Sequence, residues 1–228
     1  MSDNKTVVIT IDGPAGVGKS TAARGLARRL DAVFLDTGAM YRAVTLTAVE
    51  RGINPADTVA VAAMMDGCAF EFVPQDDTMR VFVDGVEKTD GLRDPAITAQ
   101  VRHIAAAADL RARLVAMQQA FARRFDTVVT EGRDQGTVAF PDAAAKIFLT
   151  ADPHERAKRR FQELRAAGKN ITLDEILHQQ QQRDAADEGR TVGPLKPAED
   201  AIIVDTTNLN IEQVINTIER IVREKLNG

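Results

Sequence analysis

Gly13–Ser20 reads GPAGVGKS, a complete G-x-x-x-x-G-K-[ST] run. Glycines at such spacing let successive backbone amides turn inward and approach phosphate oxygens with no Cβ in the way. A helix starting at Lys19 would add the positive end of its dipole. Lys19 would reach the β/γ-phosphates, and the Ser20 hydroxyl is suited to ligating Mg²⁺. A glycine-rich turn carrying a chance lysine is the plain alternative. It is disfavoured because the apolar run ending at Ile11 and the helical pattern after Lys19 fall where the motif needs them. Nucleotide triphosphate binding is the chemistry implied, with Gly13, Pro14, Ala15, Gly16, Val17, Gly18, Lys19, Ser20 and Thr21 as the cradle.

Such a loop serves several classes of protein. A GTPase switch needs an Asn-Lys-x-Asp base reader and an Asp-x-x-Gly element, and the chain has neither. A motor or transporter ATPase would carry a long apolar strand ending in Asp; here Val128–Val129 runs into Glu131-Gly132-Arg133-Asp134. A small-molecule kinase remains, and it needs a second pocket for an acceptor and a basic lid.

Elements that would position this chemistry follow from the hydrophobic pattern. Thr6–Ile11, Val33–Leu35, Thr127–Thr130, Lys146–Thr150 and Ala201–Asp205 read as buried strands, all but the second being nearly continuous apolar runs. Lys19–Leu30 and Ile211–Leu226 carry apolar residues at helical spacing. Strands alternating with helices predict an open α/β sheet. Phe70–Lys88 departs from this, with turns at Pro74–Asp77 and Asp84–Gly85 between short apolar runs, the pattern of a small antiparallel insertion. Pro55–Asp66 and Asp94–Phe121 on either side read as helical.

Composition sets outer bounds. The 228 residues are 44% hydrophobic and 27% charged, with a formal net charge of −4, no Trp and 4% aromatic residues. That excludes wholesale disorder and predicts neither nucleic-acid nor membrane binding. No apolar run approaches the roughly 20 residues of a membrane span. The start, MSDNKTVVITIDG, lacks the features of a secretory leader, so a cytoplasmic protein is expected. One cysteine, Cys68, leaves no internal disulfide, and His103, His154 and His178 have no metal-site spacing.

Further motifs follow the expected strands: LDTGAMYR at Leu35–Arg42, EGRDQGT at Glu131–Thr137, RDAADEGRTVGPL at Arg183–Leu195 and AIIVDTT at Ala201–Thr207. Ligands in open α/β sheets collect at the C-terminal ends of strands, so these segments should converge on the phosphate loop. In this order, and with the β-rich insertion, the chain resembles the bacterial cytidylate kinases, within the nucleoside monophosphate kinases, over nearly its whole length.

The resemblance implies a P-loop three-layer α/β fold with a central parallel five-stranded sheet. It divides one domain into a core (1–36, 122–152 and 184–228), a monophosphate-binding subdomain with the β insertion (37–121) and a lid (153–183). The implied reaction is γ-phosphoryl transfer from ATP, with Mg²⁺, to CMP or dCMP. Arg42, Arg133 and Arg190 match positions holding the acceptor phosphate, Arg111 and Asp134 match the cytosine readers, and Arg183 and Asp187 match contacts to the sugar. Thr37 and Tyr41 lie beside that pocket. Lys19, with the lid arginines Arg159 and Arg160, would stabilise the transferring group. Arg102 stands where the family usually has serine, and Glu131 where it often has Asp. The nucleophile would be an acceptor phosphate oxygen already ionised near neutral pH, so no general base is required, consistent with the absence of an obvious catalytic His or Cys.

On the residues alone, rival readings stay open. Arg42 and Arg183 also suit surface positions, Asp134 suits a turn cap, and Tyr41 suits core packing. Asp36 suits either water-mediated contact with Mg²⁺ or capping the helix through Tyr41. Arg156, Lys158, Arg159 and Arg160 read as a solvated helix face unless they overlie the phosphates. Without a long exposed apolar helix, a monomer is expected.

Overall fold

A computed structural model of the chain describes residues 6–76 and 78–227. Residues 1–5, part of the stretch read for a secretory leader, and Asp77, at the end of the first expected hairpin turn, lie outside the described residues.

Five parallel strands form the central sheet: β1 (Val7–Asp12), β2 (Val33–Asp36), β6 (Thr127–Gly132), β7 (Ala145–Thr150) and β8 (Ile202–Asp205). Their spatial order is β2-β6-β1-β7-β8. All five apolar runs expected to be strands are strands. In register, Asp36 lies opposite Glu131, Asp12 opposite Gly132 and Phe148, and Thr150 opposite Asp205. The C-terminal ends of all five therefore form one polar rim. The chain crosses from one side of β1 to the other along this rim, the place where open α/β sheets bind ligands.

Helices cover both faces. On one face, α1 (Lys19–Arg29) and α8 (Ile211–Asn227) bury Leu26, Ile215, Ile218 and Val222 against Ile9, Ile11 and Leu149. Full burial of one such side chain contributes about 1.5–3 kcal/mol. On the other face, α2 (Thr37–Glu50), α3 (Thr58–Asp66), α4 (Pro95–Ala106) and α5 (Ala108–Ala122) pack Met40, Leu110 and Leu114 onto Val8 and Val128. Helices α6 (Pro153–Ala166) and α7 (Leu173–Glu188) follow β7 and pair with each other at the rim.

The insertion is a three-stranded antiparallel sheet of β3 (Phe70–Gln75), β4 (Thr78–Val83) and β5 (Val86–Glu87). Pro74, expected in the turn, lies inside β3 opposite Met79. β3 is an edge strand, where a missing N–H breaks no ladder bond. The helical stretch from Asp94 is two helices, bent where Ala107 is extended (ψ 115°). The run Ala105–Ala108 contains no breaker, so no sequence signal marked the bend. Packing sets it: Ile104 and Leu110 enter the same core, and Arg111 Nη1 folds back to donate to the Ala105 carbonyl at 3.2 Å.

Candidate active site

The phosphate loop leaves β1 at Asp12. Gly13 (φ +146°) passes so close to the Leu149 carbonyl of β7 that a Cβ would overlap it. Gly18 precedes α1 in left-handed conformation (φ 88°), and no side chain caps that helix. By contrast, α2, α3, α4, α6 and α7 each have an Asp or Thr cap on their first amides. With no acidic residue in its first turn either, α1 presents bare N–H groups and an uncompensated positive end to whatever sits on the loop.

Lys19 is 5% exposed, and its Nζ donates to the Pro14 carbonyl at 2.7 Å. Burial pushes its ammonium down to about 7, with Arg133 the next cause and Glu131 opposing. An anion on the loop would reverse that pressure. Ser20 Oγ donates to Glu131 Oε1 at 3.0 Å, and Thr37 Oγ1 donates to the Glu131 backbone carbonyl at 2.7 Å. Among the described residues, no group of three or more His, Cys, Asp or Glu side chains is arranged to hold a metal by itself. The Ser20–Glu131 pair offers only hard oxygen donors beside the loop.

Across the rim, the candidate acceptor residues converge as carboxylate–guanidinium pairs. Asp187 accepts from Arg133 Nε at 2.7 Å on one oxygen and from Arg190 on the other. Arg111 donates to Asp134, and both are buried. The Arg111 guanidinium also lies 5.9 Å from the centre of the Tyr41 ring, whose hydroxyl burial pushes up to about 12. Arg183 is exposed and feels Arg133 and Arg190 as like charges, Asp187 and Asp184 as opposite ones. Asp36 caps α2 by accepting from Ala39 N at 2.8 Å, and it also receives Arg42 at 3.2 Å. Arg24 stands 3.8 Å from the same carboxylate. The Nε atoms of Arg42 and Arg111 are buried without a partner. The Nε atoms of Arg24 and Arg156 are in the same state, and native interiors rarely leave such donors unpaired.

Of these residues, Arg133 and Arg183 lie within electrostatic reach of Lys19 on the loop. Arg133 perturbs Lys19 directly, and Arg190, Arg111 and Asp134 all act on Tyr41. Asp134 begins the π-helical turn Gln135–Ala139, but its carboxylate goes to Arg111 and caps nothing. Beneath the turn, Asp12 accepts from Gln135 N at 2.9 Å and Gly136 N at 2.8 Å. Burial pushes the Asp12 carboxyl up to about 6, against those two bonds.

The basic cluster of α6 divides. Arg156 is buried on the loop, its Nη1 donating to the Ala15 carbonyl at 2.9 Å. Arg159 Nη2 donates to the carbonyls of Thr206 and Thr207 at 2.6 and 3.0 Å. Arg160 is exposed and pairs with Glu163, and Lys158 with Glu155. In this conformation the two arginines expected at the transferring group face elsewhere, and Arg156 touches the loop.

Sequence reasoning passed over Asp12, Arg24, Asp184 and the Ser20–Glu131 contact. A signal existed on α7: its buried stripe is Ile176, Gln180, Asp184 and Asp187, polar where an amphipathic helix is normally apolar.

With this geometry in hand, the chain compares closely with known proteins. The cytidylate kinase family model matches residues 9–224. The cytidylate kinase of Rhodopirellula baltica is 45% identical over 218 residues, covering 96% of this chain and 93% of that one. That of Geobacter sulfurreducens is 42% identical over 219 residues, covering 96% and 94%. Among solved structures, shikimate kinase from Bacteroides thetaiotaomicron superposes with a TM-score of 0.50 at 17% identity, covering 97% of this chain and 99% of that one. This last likeness concerns the fold alone.

Proposed function

The chain belongs to the cytidylate kinase family, and from that premise we propose that it moves the γ-phosphoryl group of ATP onto CMP or dCMP. A phosphate oxygen of the acceptor bonds to the γ-phosphorus as the bond to the β–γ bridging oxygen breaks, giving CDP or dCDP and ADP. The acceptor phosphate has its second pKa near about 6, so it is already ionised and needs no general base. Catalysis is then positioning and charge stabilisation.

Residues 13–21 cradle the triphosphate, with Lys19 at the transferring group. The donor set fits Mg²⁺, which prefers oxygen ligands and is usually shared between one or two carboxylates and substrate phosphates. Ser20 and Glu131 would hold it, and when bound it would supply positive charge to the transferring phosphates. Asp36, occupied by Ala39, Arg42 and Arg24, suits a water-mediated role less well. Arg42, Arg133 and Arg190 hold the acceptor phosphate as planar forks. Arg183 and Asp187 take the sugar, with Thr37 and Tyr41 along the wall. Residues 37–121 form the acceptor subdomain and residues 153–183 the lid. Arg159 and Arg160 would swing from their present partners to serve the phosphates.

The pair of Arg111 and Asp134 explains the base. Cytosine presents a donor at N4 beside acceptors at N3 and O2, matching a carboxylate beside a guanidinium. Uracil presents O4 to Asp134, acceptor against acceptor. Such a mismatch discriminates by about 1–3 kcal/mol.

One observation carries the reading: buried Lys19 and the guanidinium cluster on Asp187 share one rim and one field, through Arg133. The test is a phosphoryl-transfer assay with CMP, dCMP, UMP, AMP, GMP and shikimate. CMP and dCMP lead the ranking, Lys19→Ala abolishes most turnover, and Asp134→Ala flattens the ranking more than it weakens ATP. A different leading acceptor, near-normal turnover in Lys19→Ala, or tight ATP binding with no transfer to any acceptor refutes the proposal.

A further inference from the structure

Ala15, inside the phosphate loop, has both backbone groups claimed by the lid side of the molecule. Its N–H donates to Asp184 Oδ1 at 3.2 Å, and its carbonyl accepts from Arg156 Nη1 at 2.9 Å. The same Nη1 donates to Asp184 Oδ2 at 2.5 Å, which closes a circuit of loop, α6 and α7. Arg156 is 5% and Asp184 8% exposed, so water does not compete for these bonds. Gln180, one turn before Asp184, donates to the Arg156 carbonyl at 3.4 Å and lies against Gly16 of the loop.

Helix α7 therefore grips the loop from the same stretch that forms the acceptor side. One turn beyond Asp184, Asp187 gathers Arg133 and Arg190. No flexible segment separates the two functions, because Asp184 and Asp187 are successive positions on one buried stripe. A small rotation of α7 as Arg133 and Arg190, gathered on Asp187, close on an anion would reach Ala15 through Asp184. Charge balance points the same way. A carboxylate on a loop amide would repel a triphosphate, and Arg156 cancels it only while the circuit is intact.

We propose that Asp184, seated by Arg156, is a positioning residue that couples occupancy of the acceptor site to the loop's grip on the donor. This rests on the reading that the loop holds ATP and that α7 faces CMP. Coupling of this kind is reciprocal: CMP tightens ATP binding by the same factor by which ATP tightens CMP binding.

Calorimetry on the full chain with a non-hydrolysable ATP analogue and CMP measures that factor. In the wild type, saturating CMP tightens the analogue by about tenfold, and the converse titration agrees. Asp184→Ala brings the ratio to within about twofold of one. Asp184→Asn keeps an oxygen for the Ala15 N–H but loses the charge that seats Arg156, and it lowers the ratio by a smaller step. If Asp184→Ala does not fold, Asp184→Asn decides alone. A ratio unchanged in Asp184→Asn overturns the proposal, even where both affinities fall together, because that is how a purely structural residue behaves. A wild-type ratio of one also overturns it and leaves the kinase reading standing. A wild type that binds neither ligand removes both.

Discussion

The guanidinium of Arg111 and the carboxylate of Asp134, 23 residues apart in the chain, are buried against each other with 3% and 7% of their side chains exposed. Gly193, in the segment after α7, lies directly over this pair. Its φ is +62°, and a Cβ there would overlap both groups. The left-handed backbone alone would cost about 1–2 kcal/mol for a residue with a Cβ. Gly193→Ala should therefore spread the pair proposed to read the base. The Michaelis constant for CMP rises about tenfold or more and the preference over UMP shrinks, while that for ATP stays within about twofold. Steady-state kinetics with both acceptors checks this. An unchanged preference would show that the pair does not read the base.

Asp12 supports the same pair from beneath. Its two oxygens hold the amides of Gln135 and Gly136, and so aim the turn that begins at Asp134. Asp12→Asn turns an amide group toward one of those N–H donors. An unsatisfied buried donor costs about 1–3 kcal/mol, so kcat/KM for CMP falls roughly tenfold to a hundredfold. A signature in pH accompanies the loss. The Asp12 carboxyl is raised from 3.8 to about 6, so in that window the native state keeps a proton that the unfolded chain has released. Its contribution to stability is full below 3.8 and is lost as pH rises through 6. Chemical denaturation from pH 4 to 7 should show this decline in the wild type and not in Asp12→Asn.

Much of this architecture was legible beforehand because it is written in local pattern. Nearly continuous apolar runs gave four of the five sheet strands, the short run Val33–Leu35 gave the other, and the glycine spacing gave the loop. The Asp84-Gly85 turn gave the second hairpin. What was hidden depends on distance. Nothing near Ala107 marks the bend between α4 and α5, because Ile104 and Leu110 impose it from the core. Pro74 looked like a turn residue because its tolerance depends on β3 lying at an edge, which is a property of the sheet. Arginine-rich α6 gave no sign of which guanidinium touches the loop. Arg156 is chosen over Arg159 and Arg160 by the position of Asp184, 28 residues later.

Asp187 divides its two oxygens between Arg133 and Arg190, so in the absence of ligand it competes with any phosphate for both guanidiniums. Asp187→Asn weakens that competition while removing the charged partner proposed for the sugar. Two effects of opposite sign should follow. The Michaelis constant for CMP rises about tenfold, and inorganic phosphate inhibits more strongly than in the wild type, by about threefold or more. Initial-rate inhibition by inorganic phosphate separates the two. Weaker phosphate inhibition alongside weaker CMP binding would mean that Asp187 organises the arginines and does not rival the anion.

Lys19 ties nucleotide binding to pH. Burial lowers its ammonium from 10.5 to about 7 in the ligand-free chain, and a triphosphate on the loop draws the proton back. At pH 8 the binding of an ATP analogue should therefore take up close to one proton, about 0.9 by the ordinary titration relation. Calorimetry in two buffers of different ionisation enthalpy measures that uptake directly, and Lys19→Met abolishes it. The unliganded protein shows the complementary effect. Between pH 7 and 10.5 the unfolded chain holds a proton that native Lys19 has released. The stability linked to this group is therefore full above 10.5 and is lost as pH falls through 7. Denaturation midpoints should rise with pH over that window more steeply in the wild type than in Lys19→Met. Parallel slopes, or binding without proton uptake, would place the Lys19 ammonium in contact with solvent and remove the electrostatic basis assigned to the loop.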